Sequence, residues 1–250
     1  MSMMRSTALS MAVTACAAFG TSLVPSAVHA AADFSGLWVG TARSRTAAGV
    51  SLGQSFDPST PPGEPDKPPL TPEYAEKFQA AIEARRKGTP FTDPTAACLP
   101  GGMPRMMGMR PFPMEILMTP GKVTIVAEWM SQVRHIYMDG RGHPEGSELE
   151  PTFNGHSIGR WEGDVLVVDT VGLREDTLIS QQGLTHSDLT RVVERFRLKD
   201  GKFENEITIH DPKMLTRPWT VVKSYARPPP GTRIREYVCA EGIREGAPAR

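Results

Sequence analysis

A histidine and an aspartate near the far ends of one short hairpin are the first place in this sequence to look for chemistry. The run Phe153-Asn154-Gly155-His156-Ser157-Ile158-Gly159-Arg160-Trp161-Glu162-Gly163-Asp164-Val165-Leu166-Val167-Val168-Asp169-Thr170 reads as two strands meeting at a Glu-Gly-Asp turn. A tight hairpin brings its ends together, so His156 and Asp169 form a polar pair at one rim of a sheet. Further on, His186 stands at the mouth of another strand-like run that contains Glu194. Imidazoles with carboxylates to orient them can move protons or ligate a metal. The spacing matches no established metal motif, and no metal is assigned; histidines hydrogen-bonded to loop backbone are the plain alternative. A hydrolase built from Ser187, His156 and Asp169 lacks the Gly-x-Ser-x-Gly elbow that would present its nucleophile.

Strand alternation extends the list of candidates. In Leu189 to Leu198, arginines 191, 195 and 197 share one face, which leaves Glu194 with Val192 and Phe196 on the other. Such an inward carboxylate is either raised in pKa by desolvation, and fit for acid–base work, or fixed by an internal arginine. The same alternation groups His135 and Tyr137 with Val133, Glu128 with Val126 and Met130, and Glu236 with Ile234 and Val238. Tyr137 joins His156, Asp169, His186 and Glu194 as a catalytic candidate. Arg134, Arg160 and Lys223 can pair with inward acids or bind a ligand carboxylate. Arg134, His135, Arg160, Trp161, Met107 and Met109 are the candidate ligand contacts. The methionines crowding Gly101 to Met114 suit an adaptable lid over an apolar pocket, with a soft Cu(I) site as the alternative.

These side chains must be positioned by strands. After a short apolar run at Phe34 to Gly40, strands are expected at Met114–Thr119, Lys122–Met130, Val133–Met138, His156–Trp161, Val165–Val171, Leu189–Leu198, Lys202–His210, Trp219–Ala226 and Ile234–Cys239. Tight turns such as Lys199-Asp200-Gly201 link them as a meander, and closure into a barrel removes the edges. The reading is mainly β: a single antiparallel barrel of about 8–10 strands spanning 31–250. A Pro/Met-rich insertion, roughly 42–112, follows the first strand. It carries one helix over about 72–87, with Thr71 as cap, Pro72 in the first turn and an apolar stripe of Tyr74, Phe78, Ala81 and Ile82.

The first 30 residues read as a secretory signal: Arg5, an apolar run from Thr7 to Val24, and a Val28-His29-Ala30 cleavage site. A lipoprotein site at Cys16 is the alternative. Export leaves Cys98 and Cys239 as an even pair, and a disulfide between them is the expectation. The 28 basic and 28 acidic residues balance, and loss of Arg5 leaves a net charge of −1. This is no nucleic-acid footprint. No membrane span is expected either, since Gly20, Ser22 and Pro25 interrupt the leader. The absence of a phosphate-cradling glycine loop or dinucleotide fingerprint argues against nucleotide cofactors, and none is assigned.

Two resemblances bear on the fold. Gly36-Leu37-Trp38 resembles the Gly-x-Trp element of lipocalins, whose Trp packs at the closed end of the barrel beside an Arg from the last strand; Arg235 is placed to play that part. The runs Pro69 to Tyr74, Cys98-Leu99-Pro100, Pro113 to Leu117, Asn154 to Thr170 and His186-Ser187-Asp188 resemble a family of exported proteins of environmental bacteria to which no reaction is assigned. They support the domain and its barrel architecture; the leading functional expectation, from the barrel and its Met/Pro-rich lid, is a periplasmic or secreted protein that binds a small, largely apolar organic molecule. Two further readings stay open: a cofactor-free lyase or isomerase using His156, His186, Glu194 and Tyr137, and an envelope interaction module.

Overall fold

The computed structural model describes residues 32–41, 52–89 and 93–240; the leader and Cys16 lie outside them. Nine strands form one closed barrel in chain order: β1 Gly36–Gly40, β2 Met114–Thr119, β3 Lys122–Ala127, β4 Gln132–Tyr137, β5 His156–Glu162, β6 Val165–Val171, β7 Arg191–Lys199, β8 Lys202–His210 and β9 Trp219–Ala226. Pairing of Val39 with Ala226 and Gly40 with Tyr225 closes the ring and leaves no edge. Alternation puts Ile116, Ile125, Ile136, Val168, Phe196 and Ile207 in the interior, all fully buried.

One pairing departs from the antiparallel expectation, because β4 and β5 run parallel, Ile136 beside Ser157 and Tyr137 beside Ile158. The connection 138–155 is the cause. It is long enough to carry the chain back along the barrel, as a parallel pair requires and a two-residue turn forbids.

The hairpins β2–β3, β5–β6 and β7–β8 all turn at one end of the barrel. There Phe34 stacks on Trp161 at 5.9 Å, and the Trp38 indole N–H donates to the Phe34 carbonyl at 2.7 Å. An arginine does lie over Trp38, at 3.8 Å, but it is Arg227, one residue past β9, and not Arg235. Arg235 lies beyond the barrel wall, its backbone N–H donating to Glu128.

The expected strand Ile234–Cys239 is absent for the same reason. β9 already pairs on both sides, and the prolines at 228–230 that follow supply no N–H for another ladder. The tail instead forms a strap, fastened by the Cys98–Cys239 disulfide across 141 residues of sequence. Glu128 likewise ends β3 early and enters a turn in which Met130 has φ of 60°.

Between β1 and β2 lies the cover of the opposite end. Helix α1, Pro72–Arg86, buries Tyr74, Phe78 and Ile82, the stripe read from the sequence. Thr71 does not cap through its side chain; its hydroxyl donates to the Lys213 carbonyl at 2.8 Å and its N–H to that of Met214, tying the helix start to the β8–β9 loop.

Candidate ligand-binding site

A narrow cleft with a cavity volume of about 40 Å³, partly open to solvent, lies between the barrel and its cover. Its barrel wall comes from inward side chains of β1 and β9, chiefly Trp38, Lys223 and Tyr225, and its roof from Met106 and Met107. The roof is held from several sides. The N–H of Met103 donates to the Phe153 carbonyl, that of Gly102 to Gln132 at 2.9 Å, and buried Arg105 forms a two-point ion pair with Asp93. Gly101 lets the roof approach Trp129; a Cβ there would lie 2.0 Å from the indole ring. The Tyr225 hydroxyl donates to the Met107 carbonyl and latches roof to wall. Burial, and secondarily Glu194, hold that phenol well above its ordinary pKa, so it stays a donor.

The second wall is the segment 52–66. Buried Asp66 accepts from the N–H groups of Phe56 and Asp57 and from the Thr60 hydroxyl, which fixes Phe56 against Trp219 at 5.4 Å. Desolvation raises the Asp66 carboxyl despite those donors. Lys223 reaches between these walls. It is buried, its ammonium donates to the Phe56 carbonyl at 2.6 Å, and it sits 4.3 Å from the centre of the Phe56 ring. Burial pushes its pKa down from 10.5 to about 8; Asp66 and Asp57 oppose the shift and Arg110 adds to it.

Deeper in the barrel lies a polar cluster. Glu194, fully buried, accepts from Arg134 on one oxygen and from Asn205 at 2.8 Å on the other. Arg134 also donates to Ser157 and Thr170, at 3.2 and 2.9 Å. This matches the alternative of a carboxylate fixed by an internal arginine. Two buried atoms of this cluster, Arg134 Nη1 and Asn205 Oδ1, have no hydrogen-bond partner among the described residues.

The other candidates lie elsewhere. His135, Tyr137, His156, Arg160 and Asp169 occupy the outer face, because each lies one residue from an inward side chain, namely Arg134, Ile136, Ser157, Trp161 and Thr170 in turn. His156 and Asp169 do come near each other, through a residue that the sequence did not single out. His143 Nδ1 lies 2.9 Å from His156 Nδ1, and its Nε2 lies 3.7 Å from Asp169, which forms a two-point pair with Arg191. Burial first, then His143 and Arg141, lower the His156 pKa; Arg191 and, more weakly, His143 hold Asp169 low against desolvation. Tyr137 stacks on His156 at 5.3 Å, and Arg160 pairs with Glu162. Trp161 points the other way, into the closed end.

His186 belongs to neither place. Buried in the loop after β6, its ring meets Thr177, Thr190 and the Ser187 carbonyl, and desolvation lowers its pKa. Neighbouring Ser187 donates to Asp211, which also accepts from Thr190 and from the N–H groups of Ser187, Lys213 and Met214. Thus His156, His186 and Glu194 face three different environments and do not converge on one cavity. Of the methionines, Met107 forms the roof and Met109 lines the cleft nearer its mouth.

Lys223 and Asn205 carried a signal: each alternates with buried apolar residues, Val221 and Tyr225 for one, Phe203 and Ile207 for the other. His143 and Asp66 sit in irregular loops, where no periodicity points.

No protein-family model matches the chain, and no curated protein matches it. The resemblance to a family of exported proteins therefore rests on the quoted runs alone. Among solved structures, the chain is similar to a point mutant of the fluorescent protein UnaG at 17% identity, over 46% of this chain and 70% of that one, with a TM-score of 0.27. A likeness at that level carries no argument about function; the closed nine-stranded barrel is established by its own pairing.

Proposed function

We propose that this protein binds a small, largely apolar organic molecule in the cleft between the barrel and its methionine-rich cover, and that it does so after export. The observation that carries the reading is the construction of the cleft. Met106, Met107 and aromatic rings line it together with polar side chains, among them Gln54, Ser55, Arg110, Lys223 and Tyr225, that can orient a ligand. Thioether side chains adapt to ligands of varied shape, which suits a roof better than a rigid core. Export is supported by the leader and by the Cys98–Cys239 disulfide. Among the described residues no helix is long and apolar enough to cross a membrane.

The test uses the neutral fluorophore N-phenyl-1-naphthylamine, whose emission shifts to the blue in an apolar site. Ala127→Leu fills the cleft from the β3 wall and should weaken binding by about tenfold, roughly 1.4 kcal/mol. Val133→Arg, on the exposed outer face, should leave it unchanged. Equal binding by the wild type and a folded Ala127→Leu variant removes the cleft as the site.

A further inference from the structure

Lys223 stands out among the charged side chains of the interior. Arg134 has Glu194 and Arg105 has Asp93, each in direct contact. Lys223 is also buried, though at 7% exposure less deeply than either arginine, yet its hydrogen bond goes to a carbonyl, that of Phe56, and the nearest acids act on it only at longer range. The ammonium also lies against the Phe56 ring, a weak substitute for a carboxylate. Its Nζ occupies the space left by the missing side chain of Gly108, where a Cβ would lie 2.6 Å away. The amine is therefore presented at the wall of the cleft with no carboxylate clamped on it.

We propose that Lys223 is a covalent capture site for aldehyde- or ketone-bearing ligands, whose carbonyl carbon it takes as a reversible imine. The proposal rests on the cleft being the ligand site. In the step, the neutral amine attacks the carbonyl carbon and one amine proton passes to the oxygen, giving a carbinolamine. A second N–H proton leaves with that hydroxyl as water, and the C=N bond forms; nothing is oxidised or reduced. Desolvation favours the step, because it raises the neutral fraction of the amine. At pH 7.4 a fall from 10.5 to about 8 increases that fraction roughly 250-fold.

The experiment compares decanal with decanol on the intact chain. Decanal with sodium cyanoborohydride should add a single decyl group, mapped by peptide mass spectrometry to Lys223, at least about tenfold faster than to any exposed lysine. Lys223→Arg should lose that adduct, whereas Lys77→Arg, on the exposed side of α1, should keep it. Adducts spread over the surface lysines with Lys223 unmodified overturn the proposal. If decanol and decanal both displace the naphthylamine reporter but no Lys223 adduct forms, covalent capture fails and the cleft reading stands. If neither displaces the reporter and Lys223 stays unmodified, both fail.

Discussion

The interior of the barrel and the outer face of β4, β5 and β6 are built from the same kinds of charged contact, with opposite consequences. Inside, Arg134 and Glu194 meet with 1% and 0% of their side chains exposed. Outside, Asp169 of β6 meets Arg191 of the adjoining β7 in a two-point pair, with 53% of the arginine and 13% of the aspartate exposed. Water and salt screen the outer pair, so its net contribution is small. The inner pair has no such screen, and loss of either partner strands a charge. A pair of side chains can thus look equivalent in a contact diagram and differ severalfold in what it holds together. The difference extends to neighbours in the chain: His156 and Asp169 face out, while Ser157 and Thr170, one residue along, hold the buried guanidinium.

The largest effect that would sharpen this contrast is expected from Glu194→Ala, which leaves Arg134 buried and unpaired. Stability should fall by about 3–5 kcal/mol in urea unfolding, against about 0–1 kcal/mol for Asp169→Ala outside. Equal losses at the two sites would erase the distinction. Next comes the strap that holds the cover over the inner region. Replacing Cys98 and Cys239 with serine should cost about 2–4 kcal/mol and raise amide exchange in 100–113 while sparing the β5–β6 hairpin. Uniform exchange across both regions would mean that the strap does not act on the roof.

The smallest effect concerns pH at the outer histidines. Because the fold lowers the pKa of His156, the unfolded chain binds its proton more readily. Stability should therefore decline as pH falls from about 6.5 toward the folded value, and His186 adds a decline of the same sign. His156→Asn should remove only its own share, under about 1 kcal/mol between pH 7 and 5 by thermal unfolding, and leave naphthylamine binding in the cleft unchanged. Altered cleft binding in that variant would join two regions that the barrel wall separates.

Much of the wall was legible because it is local. The faces of β7 follow from Arg191, Glu194 and Arg195 alone, and the helix from Thr71, Pro72 and its apolar stripe. The cleft was legible only as a methionine-rich lid. Nothing near Lys223 in sequence announces that Phe56 and Gly108 will meet it, since both arrive from loops more than a hundred residues away. The hairpin ends drew attention to His156 and Asp169, yet the residue that links them, His143, comes from the parallel crossover that no turn signal foretold.

The sequence by itself determined most strands of the barrel wall, the in-and-out order of β7, the helix and the expectation that Cys98 pairs with Cys239, because period-two alternation, helix signals and an even cysteine count act at short range or by composition. Only the tertiary structure decided which buried acid meets which base, that Arg227 and not Arg235 covers Trp38, and that the last residues strap the roof instead of adding a strand. Those outcomes depend on ring closure: once β9 pairs with β1, every later residue must find its place outside the barrel.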